Sequence, residues 1–166
     1  MFLAKKRRFC YGLSSMEDWI INQDKYLSQD EVKRLRGFME GQALRAMKRG
    51  VIAPVRDWAV IDTALSSGLR VSELSDLRVG DLELGRGKQA IKVRNGKNGK
   101  AREVTIPLEL KNHLLQFLEW KKSVNQPTGH DDYLFLSERR GKLHRRAMQE
   151  RFKVWAKKGR TSFPLL

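Results

Sequence analysis

The order of apolar and polar positions divides the chain into helical stretches interrupted by one extended pair. From residue 28 the series Val32, Leu35, Phe38, Met39, Ala43, Ala46 and Met47 recurs at helical spacing. Ser28-Gln29-Asp30-Glu31 has the form of a capping box, in which the serine oxygen and the glutamate each satisfy an open backbone N–H. Gly50 marks the other end. A second helix is predicted from about Pro54, since proline suits a first turn. Trp58, Ala59, Ile61, Ala64 and Leu65 make it largely buried, and Gly68 closes it. "RVSELSDL" is a short third helix. Over 89–94 and 101–106 the period changes to two: Ile91 and Val93 face one way, Lys92 and Arg94 the other, and Val104 and Ile106 match them on the return. The intervening Asn95-Gly96-Lys97-Asn98-Gly99 makes this a β-hairpin, stopped by Pro107. An amphipathic helix over 108–123 carries Leu110, Leu114, Phe117 and Leu118. "YLFL" (133–136) is a short buried stretch, "RRGK" a turn, and a final helix from about His144 to Lys158 aligns Met148, Phe152 and Trp155. The fold class is therefore α+β, mostly helical, with a small antiparallel sheet from the hairpin at about 89–106 and room for one further short strand. Residues 1–24 read as a basic tail or linker, and 25–166 as one folded unit.

Charge changes the picture. The chain has 34 basic and 19 acidic residues in 166, a net +15. The excess sits in three blocks: residues 1–50 (net +5), 86–102 (seven basic, none acidic) and 139–166 (net +9), separated by stretches of net −3. Such blocks fit a polyanionic partner, of which nucleic acid is the commonest, better than an evenly solvated surface. No apolar run approaches the roughly 18 residues that would span a bilayer. The N-terminal "MFLAKKRRFC" places its charges after its apolar residues, the wrong order for a secretory signal. The single cysteine, Cys10, excludes an intrachain disulfide and fits a cytoplasmic setting.

Two places suggest chemistry. Arg70 follows Gly68 at the start of the third helix, where unpaired N–H groups and a guanidinium together would form a phosphate-binding corner. Glu73, three residues on, shares its face and would hold its rotamer. On spacing alone the better reading is an ordinary Arg–Glu helix pair worth a few tenths of a kcal/mol. In the hairpin, Arg94, Lys97, Lys100 and Arg102 stand within nine positions. Taken alone, Lys97 is a solvated turn lysine.

The combination "GLRVSEL" (68–74), then "GKNGKAREVTIPL" (96–108), after an opening "KYLSQDEV" (25–32), resembles the catalytic domain of the tyrosine recombinases, the phage integrase family. The resemblance is close from 63 to 108 and looser to the C-terminus. It implies that Arg70 is the first catalytic arginine and Lys97 the hairpin lysine, with Glu73 behind Arg70. It further implies double-stranded DNA as partner, recombinase subunits as neighbours and no cofactor or metal. The implied reaction is site-specific recombination by phosphotyrosyl transesterification. Arg94, Lys100, Arg102 and Arg145 would then hold neighbouring phosphates, which positions DNA without reading its sequence.

The family's later groups, a His-x-x-Arg box, a further His or Trp and the nucleophilic tyrosine, are not found in that order. His113, His130 and His144 lack an arginine three residues later, and Tyr11, Tyr26 and Tyr133 come too early. The expectation is a portion of the catalytic domain, truncated before those groups, that binds DNA but does not cleave it alone. The alternative is a non-catalytic DNA-binding protein on the same scaffold. A generic RNA-binding basic protein explains neither Arg70 nor Lys97. Helices that would complete the domain being absent, an apolar patch near Met148, Phe152, Trp155 or the C-terminal tail is expected, capable of self-association.

Overall fold

The computed structural model describes residues 27–96 and 99–161, so the predicted 1–24 tail, Lys97 and Asn98 lie outside the described residues. The element order is α1 (Gln29–Lys48), α2 (Ile52–Ser67), α3 (Val71–Asp76), a 3-10 turn (Val79–Asp81), β1 (Leu82–Glu83), β2 (Ala90–Val93), β3 (Arg102–Thr105), α4 (Leu108–Ser123) and α5 (Arg145–Thr161). The predicted mostly helical α+β class is what is found.

Helix α1 begins on the capping box. The Ser28 hydroxyl accepts from the Glu31 N–H, and the Glu31 carboxylate from the Ser28 N–H at 2.8 Å. Helix α2 is buried without interruption from Val55 to Thr63. A helix buried on every side sits at the centre of its domain, and α2 packs on α1, α4 and α5. It begins at Ile52, two residues before the predicted start, so Pro54 falls inside the first turn, where its missing N–H has no intrahelical acceptor to lose. It ends on Gly68 at φ 63°, a left-handed cap that suits glycine.

Because α2 is central, its charged side chains must be paired. Asp57, 1% exposed, accepts from the Arg56 guanidinium at 3.0 Å and from Trp155 Nε1 on α5 at 2.9 Å. Asp62 takes Arg36 Nε of α1 at 2.7 Å and lies 2.8 Å from His113 Nδ1 of α4. Two carboxylates thus tie three surrounding helices to α2.

The apolar face of α5 is not an open patch. Met148 and Trp155 are 3% and 8% exposed, Phe152 is half-buried, and the Trp155 ring lies 6.2 Å from that of Phe38. Exposure at these three residues is overturned because α1, α2 and α3 already cover this face, while the tail at 162–166 lies outside the described residues.

The sheet is antiparallel in the order β1-β2-β3. Leu82 stands opposite Ile91, Ile91 opposite Val104, and Val93 opposite Arg102. The third strand is thus Leu82–Glu83, ahead of the hairpin. "YLFL" supplies buried Leu134, Phe135 and Leu136 but joins no strand; it makes single bridges from Tyr133 to Arg78 and from Leu136 to Lys142.

Candidate active site and nucleic-acid interface

The turn from α2 into α3 determines where Arg70 points. After Gly68 the chain is extended at Arg70 (φ −66°, ψ 149°), and α3 begins at Val71. Glu73 is then the third residue of that helix. Its carboxylate accepts the Arg70 N–H at 2.9 Å and Arg70 Nη1 at 3.1 Å. One of the N–H groups that the sequence offered to an anion, that of Arg70, is therefore already occupied by Glu73, and the guanidinium stands beside it. The Arg70 side chain is 56% exposed above a Glu73 side chain that is 4% exposed.

The same carboxylate reaches the hairpin. Arg102 Nη1 and Nη2 donate to Glu73 Oε1 and Oε2 at 2.8 and 2.9 Å, a bidentate pair. Arg102 faces inward because it stands opposite Val93, a core residue, and side chains alternate along a strand. Those hydrogen bonds from Arg102, reinforced by Arg70 and opposed by burial, lower the Glu73 carboxyl to about 2.

The pattern repeats eight residues on. Asp81, the third residue of the 3-10 turn, accepts the Arg78 N–H at 2.9 Å, and its other oxygen takes Arg94 Nε at 2.5 Å. Its side chain is 4% exposed. Lys92 pairs with Glu83 on the neighbouring strand. Between α3, the 3-10 turn and β2 lies a cavity of about 330 Å³, lined in part by Glu73, Arg78, Asp81, Arg94 and Tyr133. The Tyr133 ring is packed under cations: Arg78 lies 5.3 Å and Lys142 5.9 Å from its centre.

On the other side of α3, Lys142 pairs with Asp76, and Ser75 Oγ donates to the Leu143 carbonyl at 2.8 Å. These contacts seat a second basic turn, closed by Ser137 N–H on the Gly141 carbonyl at 2.8 Å, against α3. A groove of about 780 Å³ runs between α3 and the start of α5, bordered by Ser72, Lys142, His144, Arg145 and Arg146. Among the described residues, Lys100, Arg139, Arg140, Arg145 and Arg146 are exposed and make no ion pair.

The structure therefore brings Arg70, Glu73, Arg94 and Arg102 together at the base of the hairpin and sets Arg145 beyond α3. Lys100 is exposed at the tip, and Lys97 lies outside the described residues. Sequence reasoning missed Asp81 and its pair with Arg94. The signal was available: Arg70-x-x-Glu73 and Arg78-x-x-Asp81 share one spacing. Among the described residues no cluster of acidic, histidine or cysteine side chains is arranged to hold a metal, and no helix is long and apolar enough to cross a membrane.

Comparison with known proteins agrees with this geometry. Residues 25–164 match the model of the phage integrase family. The tyrosine recombinase XerA of Thermococcus kodakarensis is 35% identical over 118 residues, 70% of this chain and 34% of that protein. The tyrosine recombinase XerD of Chlamydia pneumoniae is 35% identical over 103 residues, 61% of this chain and 33% of that protein. The chain thus spans about a third of the length of the curated relatives it matches. A crystal structure of XerA recombinase superposes with a TM-score of 0.64 at 27% identity, covering 84% of this chain and 45% of that one. A lambda integrase tetramer bound to a Holliday junction shares the fold, with a TM-score of 0.55 at 19% identity over 82% of this chain and 35% of that one. With the Arg70–Glu73 turn and the hairpin docked on it, the match over nearly the whole chain makes this protein a member of the phage integrase family.

Proposed function

We propose that this chain is the arginine-and-hairpin portion of a site-specific DNA strand-transferase, with residues 25–166 as a partial catalytic domain behind a basic tail at 1–24. The observation that carries the reading is the Glu73 carboxylate, which holds Arg70 at the surface and fastens the hairpin root beside it. In the intact protein a tyrosine oxygen attacks a backbone phosphorus, the bond to the 5′ oxygen breaks, and a 3′-phosphotyrosyl bond forms. Negative charge builds on the non-bridging oxygens in the transition state, so a fixed guanidinium stabilises that state more than the ground state. Arg70 supplies that guanidinium. Lys97 protonates the departing 5′ oxygen as a general acid. Lys100 on the hairpin and Arg145 across the groove neutralise flanking phosphates. Double-stranded DNA and further recombinase subunits are the partners, in the cytoplasm.

The test has two arms. Contact with about six phosphates gives a slope of roughly −5 for log K against log salt on duplex DNA. A flat titration refutes the reading. A duplex selected from a random pool by the intact protein is then offered as a nicked suicide substrate. Arg70→Ala and Lys97→Ala are expected to lower formation of the covalent band by about a hundredfold or more, on the scale of a lost transition-state donor or general acid, while duplex affinity falls far less. Equal loss in binding and cleavage counts against the catalytic assignment.

A further inference from the structure

Between residues 94 and 102 the hairpin carries four cations, and the geometry sets two of them, Arg94 and Arg102, apart. Arg94 and Arg102 flank the turn, one on each arm, and each spends its guanidinium on a carboxylate that is 4% exposed: Asp81 and Glu73. Each carboxylate also caps its own backbone three residues upstream, at Arg78 and Arg70, so neither is free to follow a moving hairpin. Gly96 is a second, independent sign of close fit. A Cβ placed there would stand 2.6 Å from the Lys100 carbonyl oxygen and 2.8 Å from Arg102 Nη1. The turn therefore closes directly over the guanidinium, and a glycine is needed for the arginine to pass beneath it. Arg102 thus has both Nη groups committed to a buried carboxylate beneath the turn, although its side chain stays 38% exposed.

We propose that Arg94 and Arg102 are positioning residues, a pair of latches that fix both roots of the β2–β3 hairpin to the 3-10 turn and to α3, so that Lys100 is carried in a set relation to Arg70. The second half of this statement rests on the function proposed above; the latch itself does not. Removing either latch frees one root while leaving the core untouched, because both arginines lie at the rim and their partners stay capped by backbone.

The experiment uses a nitroxide at Lys100→Cys in a Cys10→Ser background for the free protein, and unlabelled protein for DNA titration. Arg94→Gln and Arg102→Gln are each expected to add a mobile component to the spectrum of the free protein. Arg→Lys at either site, which keeps charge and loses the fork, is expected to restore part of the order. Gly96→Ala is expected to act like Arg102→Gln. The slope of log K against log salt on duplex DNA is expected to stay at the parent value in both Gln variants. An unchanged spectrum overturns the latch, and a slope smaller by about one per arginine identifies direct phosphate contacts instead. If the parent protein binds no DNA, the functional reading fails, while the spectra still decide the latch. Should a Gln variant not fold, the Lys variants and Gly96→Ala decide it in the same way.

Discussion

Replacing Glu73 with glutamine removes one charge at the point where α3, Arg70 and the hairpin meet, and its cost can be worked from the structure. The carboxyl falls from an ordinary 4.5 to about 2 on folding, chiefly through the hydrogen bonds from Arg102. At about 1.4 kcal/mol per unit, that shift corresponds to about 3 kcal/mol in favour of the folded state at neutral pH. The Arg70 and Arg102 side chains are 56% and 38% exposed, so water screens part of the attraction and about 2 kcal/mol is the better expectation. Glutamine retains a carbonyl that can accept the Arg70 N–H, so the helix start survives and the difference isolates the charge. Since the folded value lies below the unfolded one, the contribution is whole above pH 4.5 and is lost as pH falls toward 2. Urea denaturation followed by tryptophan fluorescence, at steps from pH 7 to pH 2.5, measures the gap between parent and Glu73→Gln. Other carboxyls titrate in both proteins and cancel. The gap is expected to be about 2 kcal/mol at pH 7 and to close through the acid range. A gap that keeps its size from pH 6 to pH 3, or none at pH 7, refutes the reasoning. In a double-mutant cycle with Arg102→Gln, most of the loss is expected to appear as coupling rather than as two additive costs.

Two further perturbations address the core. Lys121 is fully buried, donates to the Tyr133 and Leu134 carbonyls at 3.1 and 2.9 Å, and burial pushes its ammonium down to about 8. Below about pH 8 the folded chain bears the cost of a buried charge that the unfolded chain does not, so stability is expected to rise between pH 8 and 10.5; chemical denaturation of Lys121→Met, from which this rise is missing, checks it. Asp57→Asn leaves the Arg56 guanidinium buried without a counter-charge and is expected to cost about 3–5 kcal/mol in equilibrium denaturation. A loss under 1 kcal/mol argues against a buried pair.

Helix periods and caps were legible in the sequence because they are local. The run from Val32 to Met47 and the stop at Gly68 each state their structure within one or two turns of chain. Strand β1 was not legible, because two residues carry no period; Leu82 and Glu83 become a strand only through pairing with Ile91 and Ala90. The burial of Trp155 was not legible either, since its partner Asp57 stands 98 residues away. Lys121 is an intermediate case. It continues the series Leu110, Leu114 and Phe117 along one face of α4, and a lysine in an apolar stripe is a signal that a buried acceptor must exist, even though the acceptors cannot be named from sequence.

The site shows the same division with more consequence. Arg70 and the hairpin were marked by charge and spacing, yet charge alone treats all five hairpin cations as equivalent. What distinguishes them is strand register. Opposite Val93, Arg102 points at the core and must find an acid there; one residue of slip would have turned it to solvent and left Glu73 with Arg70 alone. A basic cluster read from sequence therefore overstates the charge available to a polyanion by the number of its cations that already answer buried carboxylates. In the hairpin block two of the seven, Arg94 and Arg102, already answer buried carboxylates. The basic turn and helix start over 139–146 hold no such inward partner for Arg139, Arg140, Arg145 or Arg146. Lys88 and Lys92 of the hairpin block pair with Glu83, so at most three of its seven cations are uncommitted against four over 139–146. Under the function proposed above, the surface beyond α3 is therefore expected to contribute more to the salt dependence of DNA binding than the hairpin does.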